Sequence, residues 1–145
     1  MICLIQRAKN GKVKVDNQII GEIEHGLVVL VGFQPADTSR TLEKMRHKLL
    51  HYRVFADEND RMNLNVQQAK GGVLLVPQFT LAANTKSGLR PSFSDSAPPS
   101  QASPLFDEFV NLCRQSYDKV ATGEFGANMQ VSLTNDGPVT FWLEI

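Results

Sequence analysis

Phe125-Gly126-Ala127-Asn128-Met129-Gln130-Val131-Ser132-Leu133-Thr134, then Asn135-Asp136-Gly137-Pro138, then Val139-Thr140-Phe141-Trp142-Leu143-Glu144-Ile145: two alternating segments, split by a turn-like interruption, end the chain. Successive side chains of a strand point to opposite faces. Phe125, Ala127, Met129, Val131 and Leu133 therefore share one face, with Gly126, Asn128, Gln130, Ser132 and Thr134 on the other. Val139, Phe141, Leu143 and Ile145 repeat the period. Read alone, Asn135 to Thr140 is a hairpin turn, because Asn, Asp, Gly and Pro each suit turn geometry. The Gly137-Pro138 bond adds a second property. An X–Pro bond turns cis for only ~0.5–1 kcal/mol, which points two successive carbonyls in a way a trans chain does not.

Working back from this end, the remaining patterns predict an α+β fold. Ile2 and Leu4, then Val13 and Val15, read as two strands joined by a Lys9-Asn10-Gly11-Lys12 turn, and Ile19 to Ile23 as a short third. Leu27 to Val31 is a continuous apolar run, the signature of a strand covered on both faces. Asp37 to Ser39 offer caps for a helix whose apolar stripe is Leu42, Met45, Leu49 and Leu50. Val54-Phe55 and Leu64-Asn65-Val66 flank an Asp57-Glu58-Asn59-Asp60 turn, and Gly71-Gly72 precedes a second buried strand, Val73 to Val76. Ser103-Pro104 reads as the start of a second helix buried through Leu105, Phe109, Leu112 and Cys113. Between them, Ala82 to Ala102 reads as a long loop, and loops of that length in a compact domain are usually functional. The expectation is a single domain over 1–145, with a curled, mostly antiparallel or mixed, barrel-like β-sheet and two main helices.

Composition narrows the function classes. The 145 residues carry 15 basic and 15 acidic side chains, which argues against a protein held to nucleic acid by bulk charge alone. A local basic patch remains open: Arg40, Lys44, Arg46, Lys48 and Arg53 on the first helix, and Arg7, Lys9, Lys12 and Lys14 near the start. Cys3 and Cys113 fit no zinc spacing and read as buried thiols of a reducing compartment. The N-terminal apolar run is too short for a signal peptide, and nothing approaches the ~20 apolar residues of a membrane span. A cytoplasmic location without membrane contact is expected.

Reagents for catalysis are sparse. His47 and His51 stand four apart on the first helix, but no third ligand accompanies them. No serine sits in a Gly-x-Ser-x-Gly elbow and no glycine-rich phosphate loop is present. What remains is Gln78-Phe79-Thr80-Leu81, directly after a buried strand and after Pro77, which lacks an N–H. Rigid strand ends commonly carry site residues, and free amides there can point at a developing oxyanion. From this segment alone, Thr80 reads as an ordinary β-branched strand residue with a satisfied hydroxyl.

Together, Gln78-Phe79-Thr80-Leu81 and Asn135-Asp136-Gly137-Pro138-Val139-Thr140 resemble the two motifs of the D-aminoacyl-tRNA deacylases. Met62-Asn63-Leu64-Asn65-Val66, Leu89-Arg90-Pro91-Ser92-Phe93 and Met129-Gln130-Val131-Ser132-Leu133 are similar to the family's bacterial members as well, so the resemblance spans the chain. It implies hydrolysis of the ester joining a D-amino acid, or glycine, to the 3′-terminal adenosine of tRNA. It implies a homodimer in which Gly137-Pro138 of one subunit enters the partner's pocket and binds the α-ammonium through main-chain carbonyls. The amides of Gln78 and Phe79 would hold the ester carbonyl, with Thr80 organising the pocket and the RNA's 2′-hydroxyl helping the attacking water. No metal or other cofactor is implied. Separately from the resemblance, the course of the Ala82 to Ala102 loop stays open in the sequence, and its Lys86 and Arg90 could meet the acceptor stem.

In one respect the chain departs from the family pattern. Typical members carry Ser where Pro77 stands. A related branch that edits an L-amino acid shares the proline but has Ala where this chain has Phe79, which sets the chain nearer the D-selective enzymes. Two other classes stay open on the residues: a nucleic-acid-binding module using the basic patches, and a hydrolase with Thr80 as nucleophile.

Overall fold

In chain order the elements are β1 (Ile2–Val15), β2 (Gln18–Ile23), β3 (Gly26–Gly32), α1 (Ser39–His51), β4 (Phe55–Ala56), β5 (Met62–Leu64), β6 (Gly72–Pro77), a 3-10 turn (Phe79–Ala82), α2 (Pro99–Ser116), β7 (Val120–Thr122) and β8 (Gln130–Glu144). They come from a computed structural model that describes residues 1–145. The two continuous apolar runs lie side by side: β3 and β6 pair in parallel from Gly26–Gly72 to Val31–Pro77. Their alternation explains the composition. Leu27, Val29, Val31, Val73 and Leu75 pack in the main core with both helices, while Val28, Leu74 and Val76 point into a smaller core on the other face. A strand with apolar groups on both sides must be covered on both sides.

The sheet runs β2-β1-β3-β6-β7, and β8 pairs with β1 along its free side. β7 adds to β6 in parallel, Val73–Val120 to Leu75–Thr122. The two ends of the sheet then meet, because Gly21 on β2 leaves no room for a Cβ beside the Thr122 carbonyl of β7. The result is a mixed sheet nearly closed as a barrel, with two helices against its outer face. That is the expected architecture. A separate two-stranded hairpin pairs Phe55 with Leu64 and Ala56 with Met62, as the turn at Asp57 to Asp60 predicts.

Three local expectations are corrected. Lys9 to Lys12 is not a turn, for β1 is one strand of 14 residues. It leaves β3 at Ala8–Gly26, takes up β2 at Gly11–Ile23, and keeps β8 beside it throughout. The true turn is Asp16-Asn17, whose φ values of 48° and 64° suit the two-residue loops that Asn and Asp favour.

Nor is Asn135 to Thr140 a hairpin turn, since β8 runs through it for 15 residues. Gln6 faces Thr140 and Ala8 faces Asn135, so residues 136–139 stand opposite Arg7 alone and must bulge from the strand. The alternating stretch before it becomes strand only from Gln130, and Phe125 turns instead toward Phe106 at 6.5 Å.

Finally, α2 begins at Pro99 behind Pro98, with Pro104 inside it. Its buried residues are Ala102, Phe106, Phe109, Val110 and Cys113, so Leu105 and Leu112 lie at the margin of the stripe. In α1, by contrast, the four predicted residues Leu42, Met45, Leu49 and Leu50 are the buried ones.

Candidate active site

β6 ends at Pro77, and the chain turns at once into the 3-10 turn. The first bond of that turn runs from Leu81 N–H to the Gln78 carbonyl at 3.2 Å, and Ala83 N–H follows to Thr80 at 3.1 Å. Turns and helices leave their first amides without partners inside the element. Here those are the amides of Phe79 and Thr80. Gln78 differs, because its N–H donates across the sheet to the Val31 carbonyl at 2.7 Å. The expectation that Gln78 and Phe79 both offer free amides therefore fails for Gln78. Parallel pairing with β3 continues one residue past Pro77 and consumes that donor.

The Gln78 side chain instead serves Thr80, with Nε2 donating to Oγ1. A hydroxyl that accepts this bond keeps its own proton for an outward partner. A carboxamide N–H cannot take a proton from Thr80, so nothing here activates it as a nucleophile. Ser96 Oγ donates to the Phe79 carbonyl at 3.1 Å, and the half-exposed ring of Phe79 packs on Phe93 at 5.1 Å between centroids.

This turn forms one wall of a cleft of about 620 Å³. Its apolar lining includes Val76, Pro77, Met129 and Val131 from the strands and Pro98, Pro99 and Phe125 from the segments around α2. A second cleft of about 400 Å³ has charged walls, including Glu22, Glu24, Lys70, Asp118 and Lys119, and contains none of the candidate residues.

Gly137 and Pro138 lie elsewhere. Neither lines the cleft of its own chain, and both are exposed on the bulge of β8. Their peptide bond is cis. The bulge is braced on both sides: Arg7 Nε donates to the Asp136 carbonyl at 3.0 Å, and Val139 N–H donates to Asn135 Oδ1 at 2.8 Å. Gly137 sits at φ 141°, and a Cβ there would lie 2.6 Å from Val139 Cγ2. Only glycine fits both conditions.

Asn135 and Phe93 fall within the motif stretches without a role of their own in the sequence, and Arg7 and Ser96 carry no signal there that ties them to the site. In the sequence Arg7 stands with Lys9, Lys12 and Lys14 as one basic cluster, and only the pairing of β1 with β8 sets it apart, opposite the bulge. The other basic group is partly engaged: Arg46 Nη1 donates to Ser116 Oγ, Lys48 Nζ to the Glu144 carbonyl and Arg53 Nη1 to Asn63 Oδ1. His47 and His51 stack on each other at 4.4 Å, and no group of three His, Cys, Asp or Glu side chains gathers around them.

Gln78 and Ser96 are the polar residues of the apolar cleft's lining, whereas Thr80, one step further along the turn, is not part of it. A mainly apolar cleft without charged side chains is of the kind that binds a neutral carbonyl compound. Comparison with known proteins gives that class a family. The profile described as D-Tyr-tRNA(Tyr) deacylase matches residues 4–144. A D-aminoacyl-tRNA deacylase of Hydrogenovibrio crunogenus is 67% identical, over 99% of this chain and 99% of its own. One of Cellvibrio japonicus is 57% identical, over 100% of this chain and 99% of its own. The chain belongs to the D-Tyr-tRNA(Tyr) deacylase family. A solved structure named c-Myc DNA Unwinding Element Binding Protein superposes with a TM-score of 0.96 at 36% identity, covering 100% of this chain and 99% of that one. A probable eukaryotic D-amino acid tRNA deacylase shares the fold, with a TM-score of 0.88 at 18% identity over 99% and 98% of the two chains.

Proposed function

We propose that this protein hydrolyses the ester between a D-amino acid, or glycine, and the 3′-terminal adenosine of tRNA. The observation that carries the reading is the 3-10 turn at the mouth of the apolar cleft, with the amides of Phe79 and Thr80 at its start. Donors already fixed in place stabilise an oxyanion without reorganising during the reaction. Water adds to the ester carbonyl carbon, and its oxygen takes the negative charge toward those amides. The tetrahedral species then expels the 3′-oxygen of the adenosine, which leaves protonated as free tRNA. Thr80, held by Gln78, orients groups in the pocket, and the 2′-hydroxyl of the substrate assists the water.

Chiral selection follows from pinning two groups. Carbonyls of Gly137 and Pro138 accept hydrogen bonds from the α-ammonium, while the turn holds the ester carbonyl. An L side chain is then driven into the backbone, and a D side chain points outward. Such steric rejection does not depend on which D-amino acid is present, and glycine passes. Because Gly137 and Pro138 do not line the cleft of their own chain, the reading requires a second copy to supply them. Two features support that: β8 pairs only with β1, leaving a long free edge, and Trp142 on it is half exposed. Free edges of this kind accept another strand or subunit.

Incubation with D-tyrosyl-tRNA and L-tyrosyl-tRNA tests the reading. Tyrosine should be released from the D ester only, and equal release or none removes the proposal. A second reading, a nucleic-acid-binding module, is favoured by the name of the structure that superposes at a TM-score of 0.96. It requires salt-sensitive binding to DNA or to deacylated tRNA, and fails if neither is bound.

A further inference from the structure

Between the 3-10 turn and α2 the chain forms a small arm that the site just described does not use. Asn84 and Ser92 close it with paired main-chain bonds, Asn84 N–H to the Ser92 carbonyl at 2.7 Å and the reverse at 3.2 Å. Asn84 also braces the arm from within, its Oδ1 accepting from Lys86 N–H at 3.0 Å and its Nδ2 donating to Asp95 at 3.2 Å. The base of the arm is joined to the cleft through Phe93 against Phe79 and through Ser96 to the Phe79 carbonyl. Residues 85–91 beyond the bridge are all exposed.

The tip has an unusual composition for a solvated turn. Leu89 is fully exposed, at 105% of its reference area. Lys86 and Arg90 flank it, and neither takes part in the ion pairs of the chain, which involve Met1, Arg7 and Lys9. No Asp or Glu occurs between Asp60 and Asp95, so the tip's charge is not offset in sequence. A single exposed leucine is ordinary, and so are two surface cations. Here they share one braced tip, on an arm whose base residues Phe93 and Ser96 line the cleft. A partner that matches must offer anions and a flat apolar face together, close to whatever enters the cleft. The end of a base-paired RNA stem has both, in its backbone phosphates and in the open face of its last base pair. Leucine is among the side chains that nucleic-acid-binding proteins set against base faces.

We propose that residues 85–91 form a recognition arm for the paired end of the acceptor stem. Lys86 and Arg90 contact backbone phosphates, and Leu89 packs on the open face of the last base pair. The inference rests on the reading that the cleft takes the 3′-terminal adenosine, since that places the stem a few nucleotides away. The arm makes the enzyme respond to the stem as well as to the ester.

Kinetics on two substrates test this, D-tyrosyl-tRNA and the minimal ester 3′-D-tyrosyl-adenosine, with wild type, the double variant Lys86→Ala/Arg90→Ala, and Leu89→Ala. For the double variant, KM for the tRNA should rise roughly tenfold with kcat kept, and the slope of log kcat/KM against log salt should fall by about one per cation removed. On the minimal ester it should match wild type. Leu89→Ala should raise KM for the tRNA without altering the salt slope, and Leu89→Met should restore it. Unchanged KM and salt slope, or equal losses on both substrates, would overturn the arm. Should wild type cleave neither ester, the deacylase reading falls instead. The arm is then judged by deacylated tRNA binding, where the double variant must show weaker, less salt-dependent binding or the arm falls too.

Discussion

Arg7 joins two distant segments through one guanidinium: Nε donates to the Asp136 carbonyl at 3.0 Å and Nη1 to the Val54 carbonyl at 2.7 Å. The peptide that precedes Gly137 is thereby fixed to the chain just beyond α1. A lysine at this position has a single head and cannot serve both carbonyls in this fork. Arg7→Lys should therefore leave the fold intact but lower kcat/KM for D-tyrosyl-tRNA by roughly 100-fold, the scale of a misplaced binding group. Steady-state kinetics beside a thermal melt check this. Unchanged kinetics would show that the bulge does not depend on Arg7.

Thr80 separates an organising role from a nucleophilic one. If its hydroxyl only relays the Gln78 bond, Thr80→Ser should stay near wild type, and Thr80→Val should lose roughly 10- to 100-fold in kcat/KM, the worth of one or two hydrogen bonds. Mass spectrometry of the quenched reaction should find no acyl group on the protein. An adduct of one tyrosyl group at Thr80 would reverse the assignment.

The two thiols give a pH dependence of stability. Burial pushes Cys113 from an ordinary value of 9.0 up to about 12, against the opposing pull of the Arg46 guanidinium. Burial also pushes Cys3 upward, helped by its neighbour Cys113. Above pH 9 the unfolded chain loses these protons and the folded chain keeps them, so the unfolded state binds fewer and stability falls as pH rises. The decline should start near pH 9 and reach at most ~2.7 kcal/mol per pH unit for two thiols. Denaturant unfolding at pH 8 and pH 10, compared with Cys113→Ala, isolates the effect. An equally steep fall in that variant would assign it to other groups. Below pH 9 neither thiol should react with an alkylating reagent until the chain unfolds.

Asp37 is the one buried charged side chain, and it holds the N-terminal ammonium of Met1 at 2.6 Å. Its other oxygen accepts from Gln34 N–H at 2.8 Å. Removing one partner of a buried pair strands the other, so Asp37→Ala should cost ~3–5 kcal/mol in denaturant unfolding. A loss under ~1 kcal/mol would mean that the pair is solvated in practice.

Legibility in the sequence tracked how local the cause was. Leu42, Met45, Leu49 and Leu50 follow one helical period, and all four are buried. Leu27 to Val31 and Val73 to Val76 read as doubly covered strands because the pattern needs no knowledge of partners. β1 and β8 misled because each contains turn residues that the other's pairing overrides. Lys9 to Lys12 and Asn135 to Pro138 are places where two long strands shift register, and no short window shows that. The start of α2 was ambiguous for a related reason, since Pro98-Pro99 and Ser103-Pro104 are both acceptable starts, and packing of Ala102 and Phe106 selects the earlier. At the site, Gln78, Phe79 and Thr80 could be marked but not distinguished. Which amide is spent depends on Val31, a partner in another strand.

The central claim is that one chain's main-chain carbonyls complete the other chain's pocket. Two variants each break one half. Phe79→Pro deletes an amide of the turn, and Gly137→Val places a side chain at φ 141° and against Val139. The direct measurement is hydrolysis of D-tyrosyl-tRNA by each variant alone and by an equimolar mixture refolded together. Each alone should be inactive. In the mixture, half of the dimers are mixed and each of those has one intact site, so activity should return to about a quarter of wild type. A mixture as inactive as its components, or Gly137→Val alone retaining D-selective hydrolysis, would contradict the claim.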